Sequence, residues 1–140
     1  MSTTIKPVLS KKSPYYISKH RYYELKHFCL QYPEWRKELH ELYYAPGSKI
    51  VQVGYSDGFS DRTGDLAVRR GMLERRMELV EQTAMATDPE LVDYILTSVT
   101  DGVSYEFLMT RMNIPCCRDT FYDRYRKFFK LLSQKIQRFI

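Results

Sequence analysis

Two adjacent cysteines, three histidines, a cluster of aspartates and a run of arginines are the residues of this chain with chemistry to offer, and spacing decides which chemistry. Cys116 and Cys117 stand side by side, with Cys29 the third thiol. Structural zinc sites usually place two residues between paired cysteines so that a turn can wrap one ion. Neither the cysteines nor His20, His27 and His40 show that gap, and an odd, unpatterned set of thiols reads as reduced. Asp57, Asp61 and Asp65 in "DGFSDRTGD" take positions 1, 5 and 9 of a calcium-type loop, but Phe59 sits at position 3 and the closing glutamate is missing, so the stretch reads as a solvated turn. Gly54, Gly58 and Gly64 match neither a phosphate loop nor a dinucleotide fingerprint. No nucleophile accompanies His27 or His40. With no convergent acid, base, nucleophile or metal set, the sequence reads as a non-enzyme without cofactor or metal.

What remains is cationic. In "RDTFYDRYRKFFKLLSQKI" Phe121, Tyr125, Phe128, Leu132, Ile136 and Phe139 recur at spacings of four, three, four, four and three, with Phe129 beside them. That is the period of one helix face turned to a core. Arg118, Thr120, Tyr122, Asp123, Arg124, Arg126 and Lys127 are then left outward, near the start of the helix. In helix-turn-helix proteins that end of the recognition helix enters the major groove, where guanidinium groups pair with guanine edges or grip phosphates.

A basic, merely solvated face is the plainer reading. The charge distribution argues against it. The net charge of +5 divides as +5 over residues 1–50 (nine Lys/Arg, four Asp/Glu), −5 over 51–117 (six, eleven) and +5 over 118–140 (seven, two). The middle of the chain is acidic, so the basic character is local.

The elements that must hold such a helix can be read from caps and periodicity. Residues 1–17 look like a flexible basic arm. Residues 18–44 read as a helical pair: one helix from Ser18 through Tyr22, Leu25, Phe28 and Cys29, and a second from Pro33 to Tyr44 with Trp35, Leu39, Leu42 and Tyr43 on one face. Residues 45–62, including "KIVQV", read as an irregular linker. Residues 63–140 then form a helical domain. Its first helix, from about Thr63 to Met85, carries a seam of Leu66, Leu73, Met77, Val80 and Ala84, which leaves two uses open: packing inside the chain, or a homodimer through the Leu66–Ala84 helix. Asp88 and Pro89 start another helix, with Leu91, Tyr94, Ile95 and Val99 inward, and Gly102 ends it. Ser104 caps a short helix from Tyr105 to about Met112, Pro115 forbids its continuation, and Asp119 offers a cap for the last helix. The expected fold class is therefore all-α: a helical domain ending in a helix-turn-helix, with an N-terminal helical arm. Length suits one domain with an arm. The apolar runs are too short for a membrane span, and "MSTTIKPVLSKKSPYY" lacks the apolar core of a secretory signal, so a cytoplasmic protein is expected.

Laid out this way, residues 60–140 resemble the small phage late-gene transcription activators of the RinA and ArpU type, related in form to the promoter-reading C-terminal domain of sigma factors. The resemblance rests on "SDRTGDLAVRR", "LERRMELVEQTAMATDP", "VSYEFLMTRMNIP" and "RDTFYDRYRKFFKLLSQKI". Its most telling piece is Arg118, Thr120, Phe121 and Tyr122, where the family commonly runs serine, arginine, any residue, threonine, aromatic, tyrosine. Cys117 stands in the serine position, and Asp123 puts an acid where a base is common. The resemblance implies sequence-specific binding to promoter duplex DNA in a bacterial host cytoplasm, with or beside host RNA polymerase. It implies that Arg118, Thr120, Tyr122 and Arg124 face base edges or nearby phosphates, that Arg126, Lys127 and Lys130 contact the backbone, and that Ser104 and Arg111 sit near a flanking phosphate. Two other uses fit the same residues: the DNA-recognition subunit of a small terminase, or a helical protein–protein interaction module.

Overall fold

Capping side chains decide where the helices of this protein begin and end. The computed structural model describes residues 5–6, 10–44 and 56–139, and of these the side chains of all but 56–62 and 138–139. "KIVQV" and most of the expected linker lie outside the described residues, as do the side chains of Asp57, Phe59, Asp61 and Phe139.

Helix α1 (Lys19–Leu30) starts at Ser18, whose extended backbone (φ −64°, ψ 155°) lets its hydroxyl accept the Arg21 amide. Helix α2 (Tyr32–Tyr44) follows at once, with Pro33 in its first turn, where a missing amide costs nothing. Helix α3 (Ser56–Thr87) begins earlier than the expected Thr63. At about 1.5 Å per residue its 32 residues make it the longest element among those described. Near its end the hydroxyls of Thr83 and Thr87 donate to the carbonyls of Leu79 (2.6 Å) and Thr83 (2.7 Å), so two buried polar groups are satisfied within the helix.

Asp88 accepts the Glu90 amide at 3.0 Å and opens a 3-10 turn, Pro89–Leu91, that leads into helix α4 (Val92–Asp101). Gly102 ends α4 in the left-handed region (φ 68°, ψ 29°), its amide donating to Ser98 O at 2.9 Å. The Ser104 hydroxyl accepts from the Phe107 amide at 3.3 Å to start helix α5 (Tyr105–Met112). Asn113, also left-handed (φ 52°), ends it, and Ile114 turns back to donate to Leu108 O. Residues 113–117 lead into helix α6 (Arg118–Phe139), unbroken over 22 residues. The protein is all-α: every element among the described residues is helical.

Two compact units result, residues 1–31 with 79–140, and residues 32–78. The division cuts between α1 and α2, which the sequence presents as a pair, and through α3. In the first unit α1 packs on α4 and α6, and α4 packs on α5 and α6. Its core is Leu25 and Tyr22 from α1, Val80 and Ala84 from α3, Ile95 from α4, Leu108 from α5, and Phe121, Tyr125, Phe128, Phe129 and Leu132 from α6, all at most 2% exposed. Ile5 and Ile17 are also buried, in the stretch that reads as an arm. Tyr22 reaches across to donate its hydroxyl to Ile5 O at 2.7 Å and lies 3.2 Å from the hydroxyl of Tyr125. The second unit buries Tyr32, Trp35 and Leu73 and is laced by polar contacts: Arg69 pairs with Glu38, Tyr43 donates to Glu74 at 2.6 Å, and the Arg76 guanidinium lies 5.8 Å from the centre of the Trp35 ring.

Gly102 is the most demanding backbone position. A Cβ there would meet Leu30 Cδ2 at 3.2 Å, and its φ is one that L side chains rarely adopt. Gly102→Ala is expected to cost about 1–2 kcal/mol, read as a lower urea midpoint with unchanged slope; an unshifted midpoint would contradict the assignment of this cap.

Candidate nucleic-acid interface

The aromatic stripe on α6 is anchored before any of its charges are placed. Phe121, Phe128 and Leu132 are 0% exposed, and Tyr125 and Phe129 meet edge-on with ring centres 5.0 Å apart, as do Phe129 and Tyr22 at 5.2 Å. With that face fixed, the remaining side chains fall on two flanks and an outer edge.

One flank is a row at four-residue spacing: Arg118, Tyr122, Arg126 and Lys130. Arg118 is the most open of them, its side chain 52% exposed, and it pairs with Glu106 of α5 while its guanidinium lies 5.6 Å from the centre of the Tyr105 ring. Arg126 sits 5.8 Å over the ring of half-buried Tyr122. Lys130 donates to Tyr16 O at 2.9 Å. On the opposite flank Arg124 is drawn inward. Its Nε donates to Asp88 at 3.0 Å and its Nη1 to Asp123, and the Asp88 carboxylate above all holds the guanidinium firmly protonated. Lys127 is half-buried between the flanks, and Asp119 and Asp123 share that outer edge.

The other expected contacts are placed differently. Ser104 is buried, its hydroxyl committed to capping α5, whereas Arg111 is exposed in the last turn of α5. Thr120 is half-buried with Oγ1 3.2 Å from Cys117 Sγ. The structure thus brings Arg118, Tyr122, Arg126 and Lys130 into one line, sends Arg124 to Asp88, and uses Ser104 as the cap of α5 that the sequence already indicates. Lone surface ion pairs such as Arg118–Glu106 contribute about 0–1 kcal/mol, so a phosphate or a guanine edge can compete for Arg118. Arg124, shared by two carboxylates, is harder to detach.

Asp119, expected to cap α6, lies inside its first turn instead. Cys117 takes the cap position: its carbonyl accepts the Phe121 amide at 3.1 Å, its sulfur lies 3.2 Å from the Thr120 hydroxyl, and that hydroxyl, together with the amides of Thr120 and Asp119, lowers the thiol pKa from its ordinary value. Burial pushes the Cys116 thiol up, and burial does the same more strongly to Cys29. Among the described residues no group of three His, Cys, Asp or Glu converges to hold a metal ion.

Asp88, Glu106 and Tyr105 were missed by sequence reading as partners of the basic helix. Asp88 was legible as a cap, but its second oxygen reaches a residue 36 positions away, which no local pattern reports. The sequence groups Arg118, Thr120, Tyr122 and Arg124 apart from Arg126, Lys127 and Lys130, whereas the helix sets Arg118, Tyr122, Arg126 and Lys130 in one row.

Compared with known proteins, the chain matches no family model, no curated protein and no solved structure. No helix among the described residues is long and apolar enough to cross a membrane. Fold and surface define an all-α protein whose last described helix, α6, is basic.

Cys117 provides a probe of this end of the helix. In Cys116→Ser protein the alkylation of Cys117 by iodoacetamide is expected to reach half its maximal rate at a lower pH than that of Cys116 in Cys117→Ser protein, because only the thiolate reacts. Thr120→Val should move the Cys117 profile upward. Coincident profiles would show that the helix start does not favour the thiolate.

Proposed function

We propose that the protein is a sequence-specific DNA-binding transcription regulator of phage or prophage origin, with α5, the turn at 113–117 and α6 as its helix-turn-helix, acting at promoters with host RNA polymerase. One observation carries the reading: burial of the aromatic stripe along an unbroken α6 leaves a basic row on one flank, exposed at Arg118 and half-buried at Arg126 and Lys130, directly after a short helix and a turn. The likeness in residues 60–140 to the RinA and ArpU type of activator supports the same reading.

In this reading the opening turns of α6 enter the major groove. Arg118, Thr120 and Tyr122 read base edges, and Arg126, Lys127 and Lys130 meet phosphates. Arg111 reaches a flanking phosphate. Arg124 reaches DNA only by exchanging Asp88 for a phosphate or a base. Ser104 acts indirectly, by holding α5 in place.

Selection of bound sequences from a random duplex pool, followed by titration at several salt concentrations, tests the proposal. Affinity should fall steeply with salt as phosphate contacts release counterions. Arg118→Ala should cost about 1–3 kcal/mol at the selected site and relax the preference at one base pair, whereas Lys127→Ala should weaken all sequences alike. Absence of duplex binding at low salt would overturn the reading.

A further inference from the structure

Away from the opening turns of α6, an open groove of about 690 Å³ lies where the first turn of α1 and the chain just before it meet the later turns of α6. Tyr16, Ser18, Arg21, Lys130, Ser133 and Gln137 line it, and none of its described lining residues is acidic. Its polar groups are committed in a particular sense. The Ser133 hydroxyl accepts from Arg21 Nε at 3.1 Å and the Ser18 hydroxyl from the Arg21 amide at 3.4 Å, so each is left with its own proton to donate. Lys130 uses one of its three ammonium protons on Tyr16 O at 2.9 Å. Arg21 is fixed on one side by Ser133, to whose carbonyl it also donates at 3.2 Å, and on the other by Glu24, which lies outside the lining. The groove therefore presents the Ser18, Ser133 and Lys130 donors around a guanidinium held in place, whose charge is shared with the exposed Glu24 carboxylate 2.6 Å away, an ion pair that a phosphate can compete for.

We infer that this groove is a second contact for the DNA backbone, holding a phosphodiester of the strand that flanks the major groove entered by α6; the inference rests on the DNA-binding reading above. Lys130 lies twelve residues after Arg118, about 18 Å along the helix, which exceeds the roughly 12 Å width of the major groove. Opening turns set among the bases leave Lys130 at the neighbouring strand. Arg21 and Ser18 bring α1 into the contact, so a helix far away in sequence fixes the angle at which α6 meets the duplex. Such a contact adds affinity for every sequence and positions the reader without reading bases itself.

Gln137, exposed on α6, allows a test that leaves the core and the Arg21 bonds untouched. Duplex binding of the full chain is titrated against salt for Gln137→Glu, Gln137→Lys and Lys130→Gln, each first shown to keep the parent far-ultraviolet dichroism. Gln137→Glu should weaken the selected and an unrelated duplex by the same factor, and Gln137→Lys should tighten both. Lys130→Gln should lower the salt slope by about one, with base preferences retained in all three. Parent-like affinity and slope in the three variants, in a protein that still binds duplex DNA, would overturn the groove and leave the helix-turn-helix reading standing. No duplex binding by the parent chain would remove both. Inorganic phosphate is titrated in parallel at constant ionic strength, followed by the amide resonances of Ser18 and Arg21. Saturation below millimolar concentration would mark a site for free phosphate and overturn the backbone assignment, whereas weak, unsaturated shifts support it.

Discussion

Burial of the aromatic face of α6 is the constraint on which the other features depend. Phe121, Tyr125, Phe128 and Phe129 sit within 1% exposure, and rings of this size dominate core energetics both by area and by edge-to-face contact. A helix pinned so firmly along one face has no rotational freedom left. The positions of Arg118, Tyr122, Arg126 and Lys130 follow from the location of the rings, and a rotation large enough to bury the basic row would expose the aromatic one.

The electrostatics of the surface are less single-minded than the net charge suggests. Several cations of the helix have protein partners: Arg118 with Glu106, Arg124 with Asp88 and Asp123, Lys130 with a backbone carbonyl. These contacts differ in strength. An exposed pair exchanges readily for another anion, whereas a guanidinium held by two carboxylates pays for leaving both. The acidic middle of the chain thus does more than balance charge. Asp88 and Glu106 select which arginines remain available.

Much of the fold was legible because capping is local chemistry. Ser18, Asp88, Gly102 and Ser104 each act within a few residues of themselves, and each marks a helix boundary as the sequence suggested. Two boundaries were less legible. The start of α3 at Ser56 lies in a Gly-, Ser- and Asp-rich stretch whose propensity is poor for a helix. The sequence points to Asp119 as the start of α6 because its carboxylate can accept free amides, whereas the cap falls two residues earlier, at Cys117. The candidate site divided in the same way. Which side chains point outward was set by period, but Arg124–Asp88 and Arg21–Ser133 join residues 36 and 112 positions apart, and periodicity carries no information at that range. The packing of α1 on α4 and α6 likewise joins elements far apart in sequence.

The paired hydroxyls beneath α1 have a polarity of their own. A phenol has one proton, and that of Tyr22 goes to the carbonyl of Ile5; the proton between the two rings must therefore come from Tyr125. The relay runs one way, from the terminal helix through the first helix to the backbone near the start of the chain. Loss of the oxygen on the first helix breaks both links, whereas loss of the one on the terminal helix leaves the link to the carbonyl standing, so the two tyrosines are unequal partners in this relay.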